Sequence, residues 1–413
     1  MSTADRSLSV NGERLIGDIA ALAQIGATPL GGVNRPAYSD ADVAARDVVH
    51  DMMQGAGLDV GVDAAGNTVG SRSGARLDLA PLVIGSHTDT VPDGGRYDGA
   101  LGVLAAIEVA RVLAERGVAL RHALEVVNFQ NEEGGLIGSK IVAGRLAADA
   151  LGLVTRSGIT IAAGIERLGG DPARFGDARR LPNSIACYLE LHIEQGRVIE
   201  RAGAEIGVVE GLVGIRYWEV TFDGVASHAG TTPMADRHDA LLAAARFIDA
   251  VHAVVTTTPG RQVGTVGRLA VFPGGSNVIP GRVVLTLELR DLEIATMNAL
   301  FERIAGEGQR IAAQTRTRFV AAPTLTNEPS PTHPRARAAI AEAARALGLR
   351  SHEMVSGAGH DAQNMAVLGP AGMIFVPSVG GISHSPAELT VDRDVVNGAN
   401  VLLGALLRMD ADG

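Results

Sequence analysis

The chain has one cysteine, Cys187, in 413 residues, so it can form no internal disulfide and its core must hold without cross-links. A lone thiol suits a reducing compartment. With no apolar segment following a basic start in MSTADRSLSVNGERL, a secretory route is not expected and the reading is cytoplasmic. Aromatic residues are 3% of the sequence, which leaves aliphatic side chains and alanine to fill the interior. Lysine occurs once, at Lys140, and the net charge is -10. No basic stripe is present, so neither nucleic acid nor membrane is an expected partner. No uninterrupted apolar run reaches the length of a membrane span. Internal repeats, low-complexity tracts and a phosphate-cradling GxGxxG are missing as well, which removes repeat arrays and the common dinucleotide fingerprint.

What is present is length and turn chemistry. At 42.5 kDa the chain is too long for one ordinary core, and 46% hydrophobic residues suit a soluble globular protein of two domains. The 52 glycines imply many tight turns. Residues 11 to 24 carry a helical stripe at Leu15, Ile16, Ile19 and Leu22, with Asn11 as N-cap. A second helix is expected to start at Ser39, with Asp40 and Asp42 in its first turn, and to stop near Gly55. Strands at about 58 to 63, 67 to 71 and from Leu82 precede a helix over 99 to 117. Another buried strand follows at 122 to 130. This alternation predicts a mostly parallel sheet with covering helices. Residues 145 to 183 show little periodicity. After a strand at 184 to 196 the character changes: β-rich stretches at 205 to 224, 260 to 274 and 276 to 291 alternate with helices near 236 to 255 and 293 to 314. That segment predicts a compact α+β module at about 212 to 328, inserted into a first domain of residues 1–211 and 329–413. Beyond Pro334 the first pattern resumes, with a helix to Leu347, a strand at 373 to 376 and a closing helix from about 391.

The chemistry gathers at expected strand ends. His87 closes the Leu82 strand, at the edge where open α/β sheets place their ligands. Asp89 lies two residues on, close enough to orient the imidazole through its second ring nitrogen. Asp98, the pair Glu132 and Glu133, His192 and His384 fall at or just past other strand ends. Each alone has an ordinary structural explanation: a solvated acidic pair, a core histidine, a helix cap in SHSPAE. Sharing one sheet edge, they form a nitrogen and oxygen donor set suited to zinc or another borderline divalent ion. Five ligands fit two ions bridged by one carboxylate, and one glutamate of the pair can ligate while its neighbour serves as general base. In the inserted module, Arg216, His228, Asn277 and Arg290 suit a substrate carboxylate. The ordinary alternatives there are an Arg290 salt bridge to Asp291 or Glu288, and a turn role for His228. His50, His122, His238, His252, His333 and His352 lack such context and read as structural or exposed.

GSHTDT…YDG, NEEGG, HIEQG, SHAGTTPM, GGSNVIP, ELRD, GAGHDA and GISHSPAE occur in this order over nearly the whole chain. Together they resemble the hydantoinase/carbamoylase branch of the M20 metallopeptidase-like amidohydrolases. The resemblance implies a metallopeptidase-like catalytic domain interrupted by a lid and dimerisation domain, and a homodimer. It implies two divalent ions (zinc, or manganese, cobalt or nickel), with His87 and His192 on the first, Glu133 and His384 on the second, and Asp98 bridging. Glu132 would be the base, Asp89 the residue orienting His87, and His228 an aid to the oxyanion. Gln195, Gly359 and His360 would lie near the scissile group, and Arg216, His228, Asn277 and Arg290 would bind the carboxylate end, some across the dimer. Peptidases of the superfamily usually carry an acid where this chain has His192, which moves the expected substrate from peptides to ureido acids. The expected reaction is hydrolysis of an N-carbamoyl-L-amino acid to amino acid, carbon dioxide and ammonia. The alternatives are allantoate, ureidoglycolate or β-ureidopropionate hydrolysis, then a dipeptidase, then a metal-stabilised binding protein without catalysis.

Overall fold

The computed structural model describes residues 8–411; residues 1–7, part of the N-terminal stretch read above, and 412–413 lie outside the described residues. The chain divides into two compact units, Met1–Glu210 with Thr332–Gly413, and Gly211–Pro331.

In the first unit the strand order across the sheet is Asp59–Val62, Thr68–Arg72, Leu124–Phe129, Leu82–His87, Cys187–Ile193, Ala371–Val376 and Ile206–Leu212, with Ser351–Ser356 paired to the last. The four central strands from Leu124–Phe129 to Ala371–Val376 run parallel, and antiparallel partners flank them. Parallel strands need both faces covered, and these are buried almost throughout. Helix Ala100–Glu115 is apolar nearly all round and buried accordingly, and it shares one core with Pro334–Ala346 and Asp392–Ala411. The expected N-caps are formed: Asn11 accepts from the Arg14 amide and Ser39 from the Asp42 amide. Because the central strands are parallel, their C-terminal ends share one edge.

Four stretches differ from the sequence reading or add to it. Residues 205 to 224 are two strands, not one element: Ile206–Leu212 joins the first unit's sheet, and Gly214–Asp223 starts the second unit. Ser351–Ser356 and Arg318–Asn327 are strands that the pattern did not reveal: the first is exposed over its first half, the second over most of its length, and neither carries an apolar alternation. Residues 145 to 183 fold around a small satellite core of Ala65, Ile137, Ile141, Ile161 and Ile165, with helix Ile161–Arg167 capped by Thr160.

The second unit is an antiparallel sheet in the order Arg318–Asn327, Gly214–Asp223, Arg282–Asp291, Val263–Phe272. Val283, Leu285, Leu287 and Leu289 alternate inward along one strand, as a sheet with one covered face requires. They meet Phe247 and Val251 of helix Ala240–Thr257 and Met297 and Ile304 of helix Ile294–Thr315. Among the described residues, Ala240–Thr257 is the one helix long and apolar enough to cross a membrane. Its buried stripe makes it the core helix of this unit, and Arg246 and Asp249 interrupt its apolar run.

Candidate metal centre and active site

The shared edge brings the donors together. His87 is the last residue of Leu82–His87, Glu132 and Glu133 follow Leu124–Phe129, His192 is the penultimate residue of Cys187–Ile193, and His384 follows Ala371–Val376. The loops leaving these strands turn through Asn131 (φ 51°), Gln195 (φ 61°) and His384 itself (φ 54°). Left-handed backbone costs a non-glycine residue about 1–2 kcal/mol, and it persists where surrounding contacts fix it.

Two donor triads share Asp98. His87 Nε2 and His192 Nε2 lie 3.7 and 3.4 Å from Asp98 Oδ1. His384 Nε2 lies 3.4 Å from both Asp98 Oδ2 and Glu133 Oε1. Two ligands about 2.1 Å from a tetrahedral ion stand about 3.4 Å apart, so these spacings match donors around a cation. The tautomers agree. His87 Nδ1 lies 3.0 Å from the Asp89 carbonyl and His192 Nδ1 lies 2.9 Å from the Ile193 carbonyl. With the hydrogen on Nδ1 given to those carbonyls, each Nε2 faces a carboxylate, and the Gly99 amide lies 3.2 Å from that of His192; a cation between nitrogen and carboxylate would relieve the arrangement. Glu133 Oε1 is buried with no hydrogen-bond partner, an acceptor that a cation beside His384 would satisfy. A third group, Glu190, His192 and His360, is also close-set. Its carboxylate is already taken up by the Ser86 and Tyr188 hydroxyls and the Ala362 amide, so it is a hydrogen-bonded core cluster.

Glu132 Oε2 sits 3.5 Å from His87 Nε2, outside both triads. Burial is the main force raising its pKa well above the carboxylate range; His87 opposes the rise, and Asp361, Glu133 and Asp89 add to it. Glu133 is pushed up to about 7 by burial and by Asp98. Burial opposes the charged imidazolium of His87, but Glu132, Asp89 and Asp98 outweigh it and hold that group well above its usual range. The Asp89 carboxylate lies 3.6 Å from His87 Nδ1, farther than its own carbonyl, and accepts the backbone amides of Glu132 and Glu133 at 3.2 Å each. It therefore ties the loop carrying Glu132 to the loop carrying His87.

Glu388 and Ser383, which the sequence reading did not single out, hold Asp98 together with Gln195, which it did. Glu388 accepts the Tyr97 and Asp98 amides at 2.9 and 3.1 Å. Ser383 donates to Asp98 Oδ2 at 2.9 Å, and Gln195 Nε2 donates to the same oxygen at 2.7 Å. Glu388 stands in the SHSPAE run, but nothing local in that run announces a partner 290 residues away. Gly359 precedes His360, which is buried edge-on against the His192 ring at 4.4 Å, with Ser356 Oγ 3.1 Å from its Nε2. Burial, reinforced by His192, holds His360 well below its usual range, so it is neutral.

In the second unit, His228 is exposed and pairs with Val278 in a short strand pair. Its Nδ1 accepts the amides of Gly230 and Thr231 at 3.0 and 3.1 Å. The neutral ring must then carry its hydrogen on Nε2, as an outward donor. Arg216 donates to Asn298, Arg290 pairs with Glu288 at 2.5 Å, and Asn277 is exposed.

Comparison with known proteins follows the same lines. Residues 83–408 match the model of peptidase family M20/M25/M40. An N-carbamoyl-L-amino acid amidohydrolase of Geobacillus stearothermophilus is 41% identical over 404 residues, 95% of this chain and 97% of that protein. An allantoate amidohydrolase of Bacillus subtilis is 36% identical over 394 residues, 94% and 95% of the two chains. The crystal structure of a hydantoinase/carbamoylase family amidase from Burkholderia multivorans is similar with a TM-score of 0.91 at 38% identity, over 98% of each chain.

Proposed function

The chain belongs to peptidase family M20/M25/M40, and from that premise we propose that it hydrolyses the ureido C–N bond of an N-carbamoyl-L-amino acid. The products are the L-amino acid, carbon dioxide and ammonia. The observation that carries this reading is Asp98, whose two oxygens serve two donor triads beside a glutamate that belongs to neither.

The imidazole and carboxylate set, free of thiolate, fits zinc, manganese, cobalt or nickel. His87, His192 and Asp98 would hold one ion, and Glu133, His384 and Asp98 a second. Such ions, when bound, supply Lewis acidity to the ureido carbonyl and acidify a water. Glu132 accepts the proton of the attacking water and returns it to the nitrogen that leaves with the amino acid. The carbamate released then falls apart to carbon dioxide and ammonia. Asp89 keeps Glu132 in register with His87 through the two amides it accepts. Gln195, held against Asp98, and the Gly359–His360 turn border the scissile group. His228 offers Nε2–H to the developing oxyanion, and Arg216, Asn277 and Arg290 hold the substrate's carboxylate. We assign to the second unit the roles of lid and dimerisation domain, and to the protein a homodimeric, cytoplasmic state.

Allantoate is the second reading, because a relative of that activity covers nearly the whole chain. The deciding experiment is ammonia release by manganese- or zinc-reconstituted enzyme on N-carbamoyl-L-methionine, N-carbamoyl-β-alanine and allantoate, with a chelated control. Chelator-sensitive turnover of the first alone is expected. Turnover of allantoate alone moves the protein to the second reading, and silence on all three with metal bound overturns both.

A further inference from the structure

A ureido acid presents its side chain only a few bonds from the carbon under attack, so a pocket for that side chain must share a wall with the donor triads. One cavity does. It has a volume of about 370 Å³, within the range of ligand pockets, and Glu133 and Asp89 are among its lining residues. Two other cavities, around Leu113 and His122 and around Arg246 and Arg310, share no residue with the metal ligands.

The walls of this cavity are fixed and its rim is apolar. Pro36 and Ala37 form one side. They are held by the buried Arg35, which donates to the carbonyls of Thr88, Leu22 and Ile25 at 2.7, 3.0 and 2.9 Å. Leu153, Val154 and Arg156 form the other side. They belong to a small hairpin closed by Thr155 N–H to the Ile159 carbonyl at 2.9 Å and Ile161 N–H to the Leu153 carbonyl at 3.0 Å. Ile137 and Ile161 anchor its base in the satellite core at 5% and 3% exposure. Leu153 and Val154, by contrast, are 61% and 69% exposed, although they flank a metal ligand's cavity. Two adjacent aliphatic side chains left in water beside a reaction centre are surface that a bound apolar group would cover.

We propose that this cavity receives the side chain of the substrate, and that it selects ureido acids with an aliphatic side chain. The proposal rests on the ureido-hydrolase reading and narrows it. The floor supports the same choice. Asp89 and Glu133 would repel an anionic side chain at short range in a poorly solvated site. Arg156 is exposed, so its methylene stem extends the apolar rim while its guanidinium stays in water. Glycine and β-alanine ureido acids carry no side chain to place in it.

The test is kcat/KM of the metal-reconstituted full chain for N-carbamoyl-L-leucine, N-carbamoylglycine and N-carbamoyl-L-glutamate, in the wild type and in Leu153→Ser/Val154→Ser. The wild type is expected to favour leucine over glycine by about tenfold or more, and the double variant to lower that ratio by about tenfold. A ratio near one, a preference for glutamate, or a ratio that the variant leaves in place overturns the pocket. Calorimetric titration of the leucine and glycine compounds into the Glu132→Gln protein reads the same preference without turnover. Equal affinities, with both compounds hydrolysed by the wild type at equal kcat/KM, sink the pocket and spare the reaction. Tighter binding of the leucine compound, with no ureido acid hydrolysed by the wild type, sinks the reaction and upholds the pocket.

Discussion

Glu132 and Glu133 are neighbours with different surroundings, and that difference underlies the roles proposed for them. Glu133 faces His384 across 3.4 Å and closes a triad, whereas Glu132 faces His87 from outside both triads. Glu132→Gln keeps the shape and removes the proton acceptor; kcat should fall about 10²–10⁴-fold while metal content by atomic absorption stays near wild type. Asp361 offers a second test. Both of its oxygens are buried without hydrogen-bond partners. Burial, then Glu190, pushes the Asp361 carboxyl up to about 8. An unfolded aspartate titrates near about 3.9. Between that value and 8 the folded chain holds a proton that the unfolded chain has lost, so stability falls as pH rises through this window. In chelated, metal-free protein, Asp361→Asn should therefore flatten the fall of Tm between about pH 5 and about pH 8. Parallel curves for the two proteins would remove Asp361 from this role. The type and order of the site residues were legible in the sequence because they sit in short motifs. The partners of Asp98 were not, because Glu388 and Ser383 reach it from the far end of the chain.

Strands and their loops set the spacing of the donors, and two glycines show how little room that spacing leaves. Gly99 opens helix Ala100–Glu115 at φ 64°, and a Cβ there would lie 2.3 Å from the His87 ring. Gly99→Ala combines left-handed strain with a collision against the proposed ligand His87, and metal affinity should drop about 10–100-fold by competition titration with a chromogenic chelator. At Gly85, inside Leu82–His87, a Cβ would lie 2.0 Å from the Val127 carbonyl of the neighbouring parallel strand. Gly85→Ala should cost about 1–3 kcal/mol in denaturant unfolding, since backbone and not a flexible side chain must move. An unchanged midpoint would show that the two strands separate freely at that point. Elements with a strong period or a cap, such as Gly12–Leu22, Asp40–Gly55 and Ala100–Glu115, were readable beforehand. Arg318–Asn327 and the segment around Ile161 were not, because an exposed strand and a satellite core leave no apolar periodicity.

For the whole molecule, the buried acids and imidazoles at the sheet edge are a cost until a cation joins them. Reconstitution with zinc or manganese should raise Tm, with a stabilisation of about 2.7 kcal/mol at a free metal concentration one hundred times Kd. Differential scanning calorimetry with and without chelator measures it, and equal Tm values would argue against metal at Asp98. The proposed homodimer predicts a mass of two chains, about twice 42.5 kDa, in sedimentation equilibrium. A single-chain mass at micromolar concentration would remove the dimer from the proposal.

The sequence by itself determined the class of fold, the interruption of the first pattern by a β-rich module, and the residue types of the site. Each of these is written locally, in periodicity, in caps and in motifs a few residues long. Only the tertiary structure decided which oxygen of Asp98 faces which histidine, and which nitrogen of His228 carries the hydrogen. The tertiary structure also decided that Asp89 binds two amides of a different loop and that a cavity opens beside Glu133. Those facts depend on contacts between residues distant in the chain, and chain distance carries no record of them until the parallel strands align their ends.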